Sequence, residues 1–152
     1  MPELRVHGVG KGPEWEALVR LHAELALGDT VALLGDVSWD QLVEEYANAA
    51  CFCLPSVQEG FGIVFLEAMA AGLPVVACRA AAVPEVVREG ETGVLVPPRD
   101  PPALADALMG LLRSPDRARA LGEAARHRVA DYAVERVAER FLDTVRSYGV
   151  LP

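Results

Sequence analysis

Two rhythms of apolar positions run along this chain. Residues 51–54 and 74–78 are continuous apolar runs, the pattern of strands covered on both faces, and residues 4–7, 31–34 and 94–96 read as shorter strands. Between them the apolar residues recur every three or four positions. Trp15, Leu18, Val19, His22 and Leu25 share one face of a helix that Gly28 is placed to close. Ser38 and Gln41 have capping-box spacing at the start of another helix. A further helix is expected over residues 62–71, two more start at Asp100-Pro101-Pro102 and Ser114-Pro115, and the last spans residues 134–147. Strands alternating with helices imply a parallel sheet with helices on both sides, whose ligands sit beyond the carboxyl ends of the strands. There is no internal repeat and no low-complexity linker.

Composition narrows the class. A chain of 152 residues fits a single domain that buries about 70% of its unfolded surface. Apolar residues make up 52% of it, with no run near the roughly 20 residues of a membrane span, so no integral membrane segment is expected. The start, Met1-Pro2-Glu3-Leu4-Arg5, lacks the basic and then apolar pattern of a signal peptide, which makes the cytoplasm the default compartment. The formal net charge is −8, and it is uneven: residues 1–50 hold three basic and nine acidic side chains, residues 113–152 eight basic and six acidic. Nucleic acid is therefore not an expected partner. The late arginines alternate with carboxylates as on a solvated helix face. Cys51, Cys53 and Cys78 all fall in strand-like runs and read as core thiols; no further ligand at zinc spacing accompanies them, so no metal is expected.

The chemistry concentrates in Glu59-Gly60-Phe61-Gly62-Ile63-Val64-Phe65-Leu66-Glu67. The strand over residues 51–54 runs into a glycine-flanked loop and then into the helix, whose first N–H groups and positive dipole end favour a phosphate. Glu59 at that mouth and Glu67 more than one turn into the helix can each accept hydrogen bonds from hydroxyls. Two hydroxyl-rich groups flanking a phosphate describe a nucleoside diphosphate sugar. Other features carry less. The glycines at 8, 10 and 12 miss the Gly-x-Gly-x-x-Gly spacing of a dinucleotide site, and His7, His22 and His127 have no partners arranged as a catalytic triad.

Leu54-Pro55-Ser56, Glu59-Gly60-Phe61-Gly62, Leu66-Glu67-Ala68-Met69-Ala70, Gly72-Leu73-Pro74-Val75-Val76-Ala77, Pro84-Glu85, Gly93-Val94-Leu95-Val96-Pro97 and Asp100 resemble, in order and spacing, the C-terminal domain of family 4 glycosyltransferases, the retaining GT-B enzymes. The resemblance covers nearly the whole chain. It implies an α/β, Rossmann-like doubly wound parallel sheet, residues 1–152 forming a single truncated donor-binding domain without that domain's first strand and helix. Glu59 is then the catalytic-site carboxylate on the donor sugar's hydroxyls and Glu67 the one on the ribose. The amides of Gly60, Phe61, Gly62 and Ile63 face sugar and diphosphate, and the backbone near Val37 meets the nucleobase. The implied partners are a nucleotide-sugar donor, used as substrate with no cofactor, and an acceptor domain on another chain or a second copy. With the first strand absent, residues 4–7 are expected either to pair beside residues 51–54 or to leave room for a strand from another chain. Ala81-Ala82 stand where the family has two glycines, which narrows backbone freedom at that turn. A non-catalytic nucleotide-binding or assembly subunit and a fragment of a sugar-nucleotide epimerase are the rival readings; the base, sugar and acceptor are not specified by the sequence.

Overall fold

A computed structural model describes residues 4–149, which form two compact units, one ending at Asn48 and the other beginning at Ala49. In the first unit, β1 (Val6–Val9) pairs in parallel with β2 (Val31–Gly35), Val6 opposite Val31, with a register shift between Gly8 and Val9. Helix α1 (Trp15–Glu24) connects them and α2 (Trp39–Asn48) follows. The Ser38–Gln41 capping box is present in both directions: the Ser38 N–H donates to Gln41 Oε1 at 3.0 Å, and the Gln41 N–H to Ser38 Oγ at 3.2 Å. The end of α1 differs from expectation. Ala26, at φ 49°, takes the left-handed position, and the Ala26 and Leu27 N–H groups bond back to the Ala23 and His22 carbonyls. This is a Schellman-type ending completed before Gly28 is reached. His22 Nε2–H instead donates to the Val31 carbonyl at 2.8 Å, tying the helix to the start of β2. The apolar stripe of α1 forms but stays open: Leu18, Val19 and Leu25 are 45–58% exposed.

In the second unit the strands β3 (Phe52–Leu54), β4 (Val75–Cys78) and β5 (Gly93–Val96) lie in that order, all parallel, Phe52 opposite Val75 and Val75 opposite Gly93. The expected α/β architecture of parallel strands and helices is thus present, in two sheets. Among the described residues the strands fall in a two-stranded sheet, β1-β2, and a three-stranded sheet, β3-β4-β5, so the expected pairing of residues 4–7 beside residues 51–54 is not among the described strand pairs. Central β4 has all four residues buried, as its continuous apolar run requires. Cys78, in central β4, is buried as a core thiol; the core reading is corrected for Cys51, which is half-buried, and for Cys53, which is exposed on β3, the outer strand of this sheet.

Helix α3 (Ile63–Ala70) buries Phe65, Ala68 and Met69 completely. It packs on α6 (Pro115–Val129) at a place where Gly122 has no substitute: a Cβ there would stand 2.0 Å from the Gly72 carbonyl oxygen. The other face of the sheet is filled by Val76, Leu111 and Leu121, with Leu104, Ala107 and Leu108 of α5 (Pro101–Arg113) against them. Asp100 caps α5 by accepting the Ala103 N–H at 3.0 Å, whereas Ser114 heads α6 without a side-chain cap bond. The final helix, α7 (Val134–Ser147), begins and ends where the sequence places it. Among the described residues no helix is long and apolar enough to cross a membrane, and no cluster of His, Cys, Asp and Glu is arranged to hold a metal ion.

The basic residues that close α6 are not all on a solvated face. Arg126 donates to the Ala71 carbonyl at 3.1 Å, at the end of α3. Arg128 donates from Nε to Val86 at 2.9 Å and from Nη2 to Glu85 at 2.6 Å, at the end of the one-turn helix α4 (Val83–Val86). Both guanidinium groups supply donors to carbonyls that a helix end leaves without an intrahelical partner.

Candidate functional site

The carboxyl ends of β3, β4 and β5 share one edge because the three strands are parallel. The loop leaving β3, residues 55–62, is fixed at its start by the Cys78 thiol, which donates to the Pro55 carbonyl at 3.3 Å. It is fixed at its end by α3, where the buried Phe65 ring meets the edge of Phe52 at 6.1 Å and 83°. Gly62 joins the two. It is buried, serves as the N-cap of α3, and holds φ 79°, ψ 64°. A Cβ at Gly62 would meet Phe65 Cδ2 at 2.3 Å and Glu59 Cγ at 3.2 Å. Only glycine satisfies both the left-handed backbone and that space.

The same contact locates Glu59. Its Cγ lies against Gly62, so the half-buried carboxylate stands at the amino end of α3. No side chain caps that end; the Phe65 N–H is taken by the Gly62 carbonyl at 2.9 Å. The first N–H groups of a helix and its positive dipole end form a binding place for anions, and the adjacent glycines permit close approach. Gly60 is exposed with nothing within 4 Å of a Cβ position, and Ile63 is 66% exposed. Glu67 is the fifth residue of α3, about 6 Å along the axis from Ile63, and is half-buried between the buried Phe65, Ala68 and Met69. The structure therefore brings Glu59, Gly60, Phe61, Gly62, Ile63 and Glu67 together on one loop and helix. Val37 belongs to the other unit, two residues past the end of β2, and is half-buried.

The loop after β4 supplies Arg79, exposed and paired with Glu89 at 3.1 Å; the same Glu89 oxygen accepts the Leu95 N–H at 2.6 Å. Ala81 in this loop has φ 49°. A backbone position that glycine would occupy freely is thus held by alanine, with its backbone strained.

Two residues next to the site have no counterpart in the sequence reading. The Phe61 ring packs against Tyr132 at 5.8 Å and 67°, and the Arg128 guanidinium lies 5.5 Å over the same Tyr132 ring. The spacing of Arg128 and Tyr132, four positions apart at a helix end, was the available signal that they touch.

At the β3 edge, burial pushes the Cys51 thiol pKa up. For Cys53 the rise is to about 11, first from burial of its surroundings and then from the Cys51 and Cys78 thiols. Neither is an activated nucleophile at neutral pH.

Comparison with known proteins matches this geometry to one family. The model of the glycosyl transferases group 1 family covers residues 1–128. A D-inositol 3-phosphate glycosyltransferase of Corynebacterium urealyticum is 38% identical over 137 residues, covering 90% of this chain and 32% of its own length. A GDP-mannose-dependent alpha-(1-6)-phosphatidylinositol monomannoside mannosyltransferase of Mycolicibacterium smegmatis is 37% identical over 138 residues, 86% of this chain and 36% of its own. Among solved structures, a sucrose-phosphate synthase from Thermosynechococcus elongatus superposes with a TM-score of 0.84 at 35% identity, over 97% of this chain and 39% of the other. Anabaena HepE in complex with UDP superposes with a TM-score of 0.82 at 26% identity, over 97% and 42%. The chain spans about a third of the length of the curated relatives it matches, and it belongs to the glycosyl transferases group 1 family.

Proposed function

We propose that this chain is the donor-binding part of a retaining, family 4 glycosyltransferase that uses a nucleoside diphosphate sugar. The observation that carries the proposal is the placement of Glu59 against Gly62 at the uncapped amino end of α3, with Glu67 one turn further along the same helix. Glu59 accepts hydrogen bonds from the donor sugar's hydroxyls, and Glu67 from the ribose. The amides of Gly60, Phe61, Gly62 and Ile63 meet the sugar and the diphosphate; the nucleobase is assigned to the backbone at Val37 from the sequence resemblance. In the transfer, the bond from the anomeric carbon to the diphosphate oxygen breaks as the acceptor hydroxyl forms the new glycosidic bond, and the hydroxyl's proton passes to the departing diphosphate oxygen. The departing diphosphate gains negative charge, and fixed N–H dipoles at a helix start stabilise it without reorganising. A metal is not required for that step when amides and basic side chains carry the charge. Relatives described as GDP-mannose-dependent, and a neighbour solved with UDP, support a nucleotide-sugar donor.

A thermal-shift screen of UDP, GDP and ADP sugars tests the reading. A rise in melting temperature with one nucleotide series and its loss in Glu67→Ala support it; no shift with any member at millimolar concentration counts against it. Product analysis with a binding donor separates the epimerase alternative: transfer releases the free nucleotide, whereas epimerisation returns an isomerised donor. A chain that binds but neither transfers nor isomerises, even with an acceptor-binding partner supplied, is the assembly subunit.

A further inference from the structure

Five residues from three separate parts of the second unit meet at one point. Phe61 comes from the loop after β3, Glu85 and Val86 from α4 after β4, and Arg128 and Tyr132 from the end of α6 and the 3-10 turn Ala130–Tyr132. The Tyr132 hydroxyl donates to the Glu85 carbonyl at 3.0 Å and accepts from Arg128 Nη2 at 3.1 Å. Arg128 itself holds the Glu85 and Val86 carbonyls, with its side chain only 12% exposed. The guanidinium lies over the Tyr132 ring at 5.5 Å, and the Phe61 ring meets the same ring at 5.8 Å and 67°. The ring therefore has its hydroxyl fixed to the loop after β4 and its carbons against the loop after β3.

We infer that Tyr132, oriented by Arg128, is a positioning residue that sets the backbone of the Gly60-Phe61-Gly62 segment for donor binding. The need for such a residue follows from the loop's composition. A Cβ at Gly60 would have open space around it and Phe61 is 45% exposed, so the segment between Glu59 and the Gly62 cap lies open to solvent and gains little restraint from core packing. Tyr132 is the outside support. It acts through Phe61. The inference rests on the donor-binding reading for its consequence and on geometry alone for the restraint.

The two levels are measured separately. Backbone 15N order parameters in the ligand-free chain read the restraint at residues 60–63. Tyr132→Ala is expected to lower them there from the rigid range, about 0.85, toward about 0.6, while Tyr132→Phe, which keeps the ring against Phe61, stays near wild type. Calorimetric titration with UDP-glucose and GDP-mannose then reads the consequence: for whichever probe binds wild type, Tyr132→Ala raises Kd about tenfold, the equivalent of losing one favourable aromatic pair, and Tyr132→Phe restores most of it. Leu111→Ala, a core truncation in the Val76–Leu111–Leu121 cluster, controls for general loss of stability and is expected to leave the order parameters at residues 60–63 and Kd unchanged. Unchanged order parameters in Tyr132→Ala, or the same loss in Leu111→Ala, overturn the inference. If neither probe binds wild type, the donor reading fails while the order parameters still decide whether Tyr132 restrains the loop; if they fall in Tyr132→Ala and Kd does not rise, the residue is structural only and the positioning role is overturned.

Discussion

Replacing Gly62 by alanine places two independent demands on the chain, and both can be sized. The backbone at this N-cap is left-handed, φ 79°, which costs an L-residue about 1–2 kcal/mol. The new methyl would sit 2.3 Å from Cδ2 and 2.6 Å from Cε2 of Phe65, a ring with no exposed surface that is held edge-on to Phe52. Relieving such overpacking in a core costs roughly 1–3 kcal/mol, because the ring must leave its rotamer or the helix must shift. Alanine also lowers the entropy of the unfolded chain, an offset of about 0.4–1 kcal/mol. The net loss for Gly62→Ala is therefore about 1–4.5 kcal/mol. Gly60→Ala is the internal comparison, since Gly60 has neither a positive φ nor any atom within 4 Å of the added carbon. It should change stability by less than about 0.5 kcal/mol. Urea denaturation followed by circular dichroism measures both. A Gly62→Ala loss below that of Gly60→Ala would refute the account of how α3 begins, and with it the placement of Glu59.

Three further outcomes are expected. Ala81→Gly should raise stability by roughly 0.5–1 kcal/mol in the same assay, because relief of a left-handed alanine outweighs the added unfolded-state entropy; a loss would mean the φ of 49° is not held in solution. Arg128→Met should lower stability by about 2 kcal/mol, since two carbonyls at the end of α4 lose a charged donor in a largely buried place, and Arg128→Lys should recover only part of that because it lacks the fork. The Cys53 thiol, with its pKa raised from 9.0 to about 11, should alkylate slowly at pH 8 despite its exposed side chain, and the rate should climb as the pH approaches 11; a plateau near pH 9 would contradict the shift. The sign carries to stability: this thiol's contribution is intact below pH 9 and is lost as the pH rises through about 11.

Much of the fold can be read in the sequence because its signals are local. The Ser38–Gln41 box, the Asp100 cap and the bounds of α7 depend on neighbours within a few positions, and each stands where periodicity and capping chemistry put it. The loop-to-helix unit at residues 59–67 was legible for the same reason: glycine beside a carboxylate, then a helix start. What was not legible depends on contacts distant in sequence. Cys53 looks like a core residue until one knows that β3 is an edge. Arg126 and Arg128 sit in a run of alternating charges that reads as solvated, yet their partners lie 55 and 42 positions away. Gly28 looked like the cap of α1, and Ala26 took the left-handed position first. Ala81 shows the opposite case, a left-handed position held by a residue that does not signal it in the sequence. The division into two sheets likewise depends on which strands meet, which residue pattern within each strand does not encode.

The central claim, that Glu59 and Glu67 receive the two hydroxyl-rich ends of a nucleoside diphosphate sugar, is tested most directly by calorimetric titration of the donor found by screening into wild type, Glu59→Ala and Glu67→Ala. Losing a hydrogen bond to a charged acceptor costs about 1.5–3 kcal/mol, so each variant should bind roughly 10- to 150-fold more weakly while its urea midpoint is kept. The free nucleoside diphosphate, which lacks the sugar, should lose affinity in Glu67→Ala but not in Glu59→Ala. Equal affinity of wild type and both variants for the intact donor would contradict the assignment.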